Sequence, residues 1–101
     1  MNINMYKYVG DFGEDKDIAA LMREKQIRPN LDKGKHVTLD FDNVHLVTQS
    51  FIHALISDIL RKGGENILDI LEFKNASQLV RGIVSTVVQY SLDTAEDSPS
   101  E

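Results

Sequence analysis

The stretch VTLDFDNVHLVTQSFIHALISDIL, residues 37–60, changes within a few residues from the period of a strand to that of a helix. Val37, Leu39 and Phe41 alternate with polar neighbours, which predicts a strand with one buried face. Residues 48–61 then repeat apolar side chains at helical spacing, which predicts an amphipathic helix with a broad apolar face. The apolar positions of that helix are Phe51, Ile52, Leu55, Ile56, Ile59 and Leu60, and the polar positions opposite are His53, Ser57 and Arg61.

Thr48, Gln49 and Ser50 occupy the start of this predicted helix. Thr48 or Ser50 is expected to be the N-cap, accepting a bond from a backbone N–H that the helix leaves unpaired. The same position exposes a hydroxyl beside the positive end of the helix dipole, which would stabilise a phosphate attached there. Capping alone and capping with modification both remain open.

On the N-terminal side, the pattern predicts a first strand over residues 3–9, ended by glycines 10 and 13. A helix is predicted to follow, with acidic residues in its first turn and Pro29 at its end. On the C-terminal side, the Gly63–Gly64 pair suits a left-handed helix end, and residues 67–73 resemble a mostly buried strand. A last helix is predicted over residues 75–90, with Asn75 and Gln78 as a capping box.

The predicted fold is therefore a small α/β domain of order β-α-β-α-β-α, with a sheet of mainly parallel strands flanked by helices. Residues 1–91 are expected to form this single domain. Residues 92–101 have few apolar side chains and several charges, which predicts a disordered acidic tail.

The composition argues against several function classes. The formal net charge is −5, from 11 basic and 16 acidic residues, and the basic residues are scattered, so nucleic acid is not an expected partner. The chain has no cysteine, which excludes disulfides and thiolate chemistry. It has no signal-peptide pattern and no apolar run of about 20 residues, so we expect a cytoplasmic protein without a membrane segment.

Metal binding, cofactor binding and catalysis are not expected. The three histidines, His36, His45 and His53, lack the pairwise spacing of a metal site. Asp40 and Asp42 could bind a cation or share a proton, but hydrogen bonds within a turn are the stronger expectation. Neither a phosphate-binding glycine loop nor a nucleophile elbow is present.

The residues of the opening stretch, together with EFKNASQLVRGI at 72–83, resemble the STAS domains (sulfate transporter and anti-sigma-factor antagonist), and more closely the bacterial STAS-like domains. The resemblance covers roughly residues 35–90 and implies a central sheet flanked by helices. It also implies a protein that acts by binding other proteins, since anti-sigma-factor antagonists are phosphorylated by a partner kinase with a GHKL-type ATPase fold.

The phosphorylation motif of those antagonists, Asp-Ser-Ser-Gly, is altered in this sequence. Its aspartate falls on Thr48, its phosphoacceptor serine on Gln49, its second serine on Ser50 and its glycine on Phe51. Because Gln49 cannot accept a phosphate, phosphorylation would have to move to Thr48 or Ser50. The STAS-like subgroup resembles this sequence in having hydroxyl and Phe residues at the helix start. Its members look like partners of ATPase or defence-system proteins.

The leading hypothesis is a non-enzymatic regulatory module that binds a protein partner, such as a GHKL-type ATPase or kinase, around the start of the second predicted helix. The alternative is a small acidic inhibitor or decoy, phage or defence related, that blocks a host protein. A third reading is a homodimer formed through the sheet edge or the valine-rich last helix. The residues predicted for the partner surface are Asn43, His45, Thr48, Gln49, Ser50 and His53.

Overall fold

A computed structural model describes residues 1–94 and shows an α/β arrangement with parallel strands. One sheet has three strands in the order β1-β3-β5, and a second, two-stranded sheet pairs β2 with β4. The strands are β1 (Asn2–Asn4), β2 (Phe12–Gly13), β3 (Val37–Asp40), β4 (Leu46–Val47) and β5 (Leu71–Lys74).

Three long helical segments pack together beside these strands. Two of them are continuous but change pitch, because each contains a five-residue π-helical turn. The first long helix, residues 16–32, consists of α2 (Lys16–Met22), the π turn Arg23–Ile27 and α3 (Arg28–Asp32). The second, residues 49–63, consists of α4 (Gln49–Ile52), the π turn His53–Ser57 and α5 (Asp58–Gly63). The third is α6 (Gln78–Asp93), and the shorter elements are α1 (Met5–Val9) and a 3₁₀ segment (Glu65–Asp69).

The central strand β3 explains where the core lies. Val37 and Leu39 are fully buried, and β3 forms parallel pairs with β1 on one side and β5 on the other. Ile3 and Leu71 are buried on the same face of the sheet, against the helices. The alternate positions, including Thr38 and Glu72, remain accessible, so the polar face of this sheet is open.

The structure confirms the predicted strand at residues 37–40 and all three long helices, and corrects several boundaries. The strand predicted over residues 3–9 is wrong beyond Asn4, where a single helical turn, α1, exposes Tyr6, Lys7 and Tyr8. Residues 65–69 form a 3₁₀ segment, so the strand predicted from residue 67 begins only at Leu71. The two-residue strands β2 and β4 were not predicted.

Pro29 does not end the first long helix. The helix continues to Asp32, and Pro29 lies in the first turn of α3, directly after the π turn. The Arg28 N–H bonds to the carbonyl of Arg23, five residues back, rather than four. This wider turn accommodates a residue that has no N–H to donate and whose ring would clash in a regular helix.

The last helix is capped by Ser77 rather than by Asn75 and Gln78. The Ser77 Oγ accepts a hydrogen bond from the Val80 N–H at 3.2 Å. Leu92 and Asp93 belong to this helix, so the tail predicted from residue 92 starts too early. The rest of the predicted tail, from residue 95, lies outside the described residues.

Ser57 was expected on the exposed face of the second long helix, yet it is buried. Its Oγ accepts a hydrogen bond from the Ser91 Oγ at 2.8 Å, and both residues are almost inaccessible. The π turn that begins at His53 changes the angular spacing of the side chains, so the polar face predicted from a regular helical period does not hold at Ser57. Ser57 packs against α6, where Ser91 lies.

We predict that Ser57→Ala lowers the free energy of unfolding by about 1–3 kcal/mol, because it leaves the buried Ser91 hydroxyl without its acceptor. Ser57→Ala combined with Ser91→Ala should cost less than the sum of the single changes, since both polar groups are then removed together. Urea unfolding of the four proteins measures this coupling. Strictly additive losses would contradict it.

Candidate functional site

The candidate site lies where β4 ends and the second long helix begins. The Thr48 N–H donates to the carbonyl of Gly13 at 2.9 Å, so the chain is fixed to β2 immediately before the helix. The Thr48 Oγ1 then accepts a hydrogen bond from the Phe51 N–H at 3.0 Å, with Thr48 in an extended conformation. Thr48 is therefore the N-cap, which was one of the two predicted candidates, Thr48 and Ser50.

Phe51 anchors the helix start in the core. Its side chain has 0% exposure, and it packs against Gly13 together with Val47. A Cβ placed on Gly13 would lie 3.2 Å from the Val47 Cγ1 and 3.3 Å from the Phe51 Cε2. A side chain at Gly13 would therefore require the buried Val47 and Phe51 to shift by a few tenths of an ångström, so the close approach of β2 to the helix start favours glycine here.

The exposed side of the same junction brings together three of the predicted surface residues. Gln49, Ser50 and His53 line one shallow depression of about 490 Å³ with Lys16, the first residue of α2. Thr48 is half-buried, whereas Ser50 is exposed. Sequence reasoning missed Lys16, because nothing in its local pattern shows that the start of the first long helix faces the start of the second.

Two exposed apolar side chains lie on the strands that lead into this junction. Phe12 and Leu46 are opposite each other in the parallel pair β2-β4 and are 39% and 43% exposed. The next residues in the two strands, Gly13 and Val47, are buried, which sends Phe12 and Leu46 outward. Both lie in two-residue strands, which are too short to show a periodic pattern in the sequence, so their position was not predicted.

We define the junction surface as this apolar pair together with the four polar residues of the depression. Asn43 and His45 are exposed, but they lie on the loop between β3 and β4 and do not line the depression. Asn43 has φ 70°, a left-handed conformation that asparagine tolerates, within a turn closed by the Val44 N–H to the Phe41 carbonyl at 2.9 Å. The junction surface consists of Phe12, Leu46, Lys16, Gln49, Ser50 and His53.

His53 also contacts α6. Its ring centroid lies 6.1 Å from that of Tyr90, with the planes tilted by 45°. This geometry is within the range of favourable aromatic pairs and restrains the imidazole at the edge of the depression. Tyr90 is itself largely exposed and lies next to the His53 end of the junction surface.

Asp40 and Asp42 lie in a turn with internal hydrogen bonds, as expected in preference to a cation site. The Asp40 Oδ1 accepts hydrogen bonds at 3.0 Å from the Asn75 side-chain amide and at 3.0 Å from the Asp42 N–H. The Asn75 amide, followed by the Asp42 N–H, lowers the pKa of the Asp40 carboxyl below its usual value. Asn75 adopts φ 58° to reach it, which explains why this residue does not cap α6. Among residues 1–94 there is no cluster of three or more histidine, cysteine, aspartate or glutamate side chains able to hold a metal ion.

No helix within residues 1–94 has the length and apolar character needed to cross a membrane. The family described as "STAS-like domain of unknown function (DUF4325)" matches residues 19–81, more than half of the chain. That match includes α3, β3, the whole of the second long helix and the start of α6. Comparison with curated proteins and with solved structures gave no match.

We predict that Thr48→Ala lowers the free energy of unfolding by about 1 kcal/mol, because the Phe51 N–H loses its side-chain acceptor. Thr48→Ser keeps an oxygen at the same position and should retain most of the stability. Urea unfolding compares the two. Equal losses in both variants would show that the threonine methyl group, rather than the cap, is responsible.

We predict that Asn75→Gly raises the pKa of Asp40 toward its ordinary value, because the glycine preserves the left-handed backbone but removes the amide donor. A lowered pKa stabilises the fold above the unfolded pKa, and this contribution disappears as pH falls through the folded pKa. The stability lost in Asn75→Gly should therefore be present at neutral pH and shrink in acid. NMR titration of the Asp40 carboxyl measures the shift.

Asn43→Gly is the matched control, since Asn43 also has positive φ but does not bond to Asp40 through its side chain. Asn43→Gly should leave the pKa of Asp40 as low as it is in the wild type. An unchanged Asp40 pKa in Asn75→Gly would contradict the assigned cause.

Proposed function

The chain belongs to the family of STAS-like domains of unknown function, and on that premise we propose that it is a non-enzymatic regulatory module. Its partner is a protein, and the contact is made by the junction surface. The observation that carries this proposal is the outward-facing pair of Phe12 and Leu46 on the two strands that lead into the helices whose first residues line a polar depression. Apolar anchors next to polar groups are the usual composition of a protein interface.

The rigidity of the junction supports docking. The Thr48 cap, the bond to the Gly13 carbonyl and the buried Phe51 all fix the backbone from which Gln49 and Ser50 project. A surface that is already ordered loses little conformational entropy when a partner binds. The proposed partner therefore meets a preformed surface.

The proposed partner class is a GHKL-type ATPase or kinase, by the resemblance to anti-sigma-factor antagonists. In those proteins the phosphoacceptor is a serine at the position of Gln49, so the partner of this chain would read a different set of groups. Ser50 is the hydroxyl that a kinase could reach, because Thr48 is half-buried and its oxygen already accepts the Phe51 N–H. A phosphate on Ser50 would share its depression with the Lys16 cation.

The alternative, an acidic decoy, would bind mainly through carboxylates. The junction surface has no carboxylate and carries apolar groups and Lys16 instead. Partner binding through it should therefore depend weakly on salt, whereas an acidic decoy would lose affinity steeply as salt rises. Affinity measured at low and high salt separates the two functions.

We predict that Leu46→Glu weakens partner binding by about tenfold or more, because it places a charge at an apolar anchor of the interface. Leu79→Glu is the matched control, since Leu79 is 67% exposed but lies on the first turn of α6. Co-purification with a GHKL-type ATPase, followed by titration of the purified pair, provides the measurement.

Ser50→Glu and His53→Glu test the polar half of the same surface. Both residues line the depression, so both changes should alter the affinity. Wild-type affinity in Leu46→Glu, Ser50→Glu and His53→Glu together would remove the junction surface from consideration. Failure of the wild-type chain to bind the ATPase would reject that partner class.

A further inference from the structure

The strand β5 lies at an edge of the three-stranded sheet, on the side away from β1. The carbonyls of Ile70 and Lys74 accept bonds from β3, from the Val37 N–H and the Phe41 N–H, each at 2.8 Å. Because backbone groups alternate along a strand, the N–H and C=O of Leu71 and Phe73 point to the opposite side. Within residues 1–94 no strand pairs with that side, which leaves an edge able to accept another strand.

An apolar groove of about 510 Å³ runs beside this edge, between β5 and α6. Its apolar wall is formed by Leu68, Phe73, Ala76, Val84 and Val88. Phe73 is only half-buried, although its neighbour Leu71 on the same face is fully packed. A strand added to the edge would cover the exposed part of Phe73 and gain apolar contacts there.

The charges of β5 favour one particular strand as the partner of this edge. Glu72 and Lys74 flank Phe73, and both are exposed on the open face of the sheet. We propose that β5 pairs in antiparallel orientation with β5 of a second copy of this chain, centred on Phe73. The two Phe73 residues then exchange backbone hydrogen bonds, and Glu72 of each copy lies opposite Lys74 of the other.

The same charges select this register. If the centre of pairing moved to Glu72, two glutamates would lie directly opposite each other. If it moved to Lys74, two lysines would do so. Like charges directly opposite in an antiparallel pair are destabilising, so only the register centred on Phe73 has opposite charges at both cross-strand positions.

The surface is separate from the junction surface. None of Phe12, Leu46, Lys16, Gln49, Ser50 or His53 lines the groove beside β5. Self-association can therefore be tested without any knowledge of the protein partner, and its failure would leave the proposed function untouched.

The test uses sedimentation equilibrium of the full chain from low to high micromolar concentration. The wild-type chain should shift from monomer to dimer across this range. Glu72→Lys alone and Lys74→Glu alone should each weaken the dimer about tenfold or more, because each replaces two opposite-charge pairs by two like-charge pairs.

An equimolar mixture of Glu72→Lys and Lys74→Glu gives the decisive result. In the mixed dimer both cross-strand positions again hold opposite charges, so dimers should return although neither variant forms them alone. This rescue also shows that both variants are folded. Glu14→Lys, the same charge change at an exposed site before α2, is the control and should dimerise like the wild type.

Three results would overturn the proposal: a wild-type chain that stays monomeric at the highest concentration, a dimer that survives both charge reversals, or a mixture that remains monomeric. In the second case the dimer would use another surface. In the third, the loss would come from contacts within one chain, such as the bond from the Thr38 hydroxyl to Glu72 at 3.2 Å.

Discussion

The parallel pairing of β3 with strands on both sides is the constraint on which the rest of the structure depends. Val37 and Leu39 can be fully buried only if the backbone of β3 is hydrogen-bonded along both edges, because unpaired amides in that position would be costly. β1 satisfies one edge and β5 the other. The two surfaces proposed to bind other molecules both follow from this arrangement.

The first surface follows from the way the chain leaves β3. The carboxylate of Asp40 fixes the turn by accepting from Asp42 and Asn75, and the turn at Asn43 then leads the chain into β4. Because β4 pairs with β2 and Phe51 packs against Gly13, the start of the second long helix is held by contacts on both sides. The second surface follows from the short length of the sheet, because β5 ends it and nothing among residues 1–94 pairs with its outer edge.

The elements with a long hydrophobic period were predictable from the sequence. β3 and the three long helices each repeat apolar residues often enough for the period to be recognised, and their burial agrees except at exposed positions such as Leu21 and Leu79. β2 and β4 were not predictable, because two residues cannot display a period. Their pairing exists only after the chain has brought residues 12 and 46 together.

The π turns explain two further differences, the continuation of the first long helix past Pro29 and the burial of Ser57. The Arg23 guanidinium of the first long helix donates to the Ala54 carbonyl of the second at 2.7 Å, and Arg28 of the first forms an ion pair with Asp58 of the second at 2.6 Å. The carbonyl within the π turn is thus satisfied by a residue of another helix. No local pattern around Ala54 contains that information, so the burial of Ser57 could not be derived from the sequence.

The helix start on which the candidate site was predicted is confirmed, but part of the proposed surface could not be derived from the sequence. A change of period with hydroxyls at the boundary was enough to place a capped helix start at Thr48, and the structure puts Gln49, Ser50 and His53 on one depression. Lys16 and the pair of Phe12 and Leu46 depend on tertiary contacts and were therefore missed.

The substitution of Phe51 for the glycine of the antagonist motif has a mechanical consequence. A glycine at a helix start leaves the backbone free to rearrange, whereas Phe51 is fully buried against Gly13 and Val47 and ties the same position to the core. A rearrangement of this helix start would have to withdraw that ring, at a cost of several kcal/mol by analogy with the loss of a buried phenylalanine. If the proposed regulation acts at this junction, adding a charge at the exposed Ser50 costs less free energy than moving the backbone.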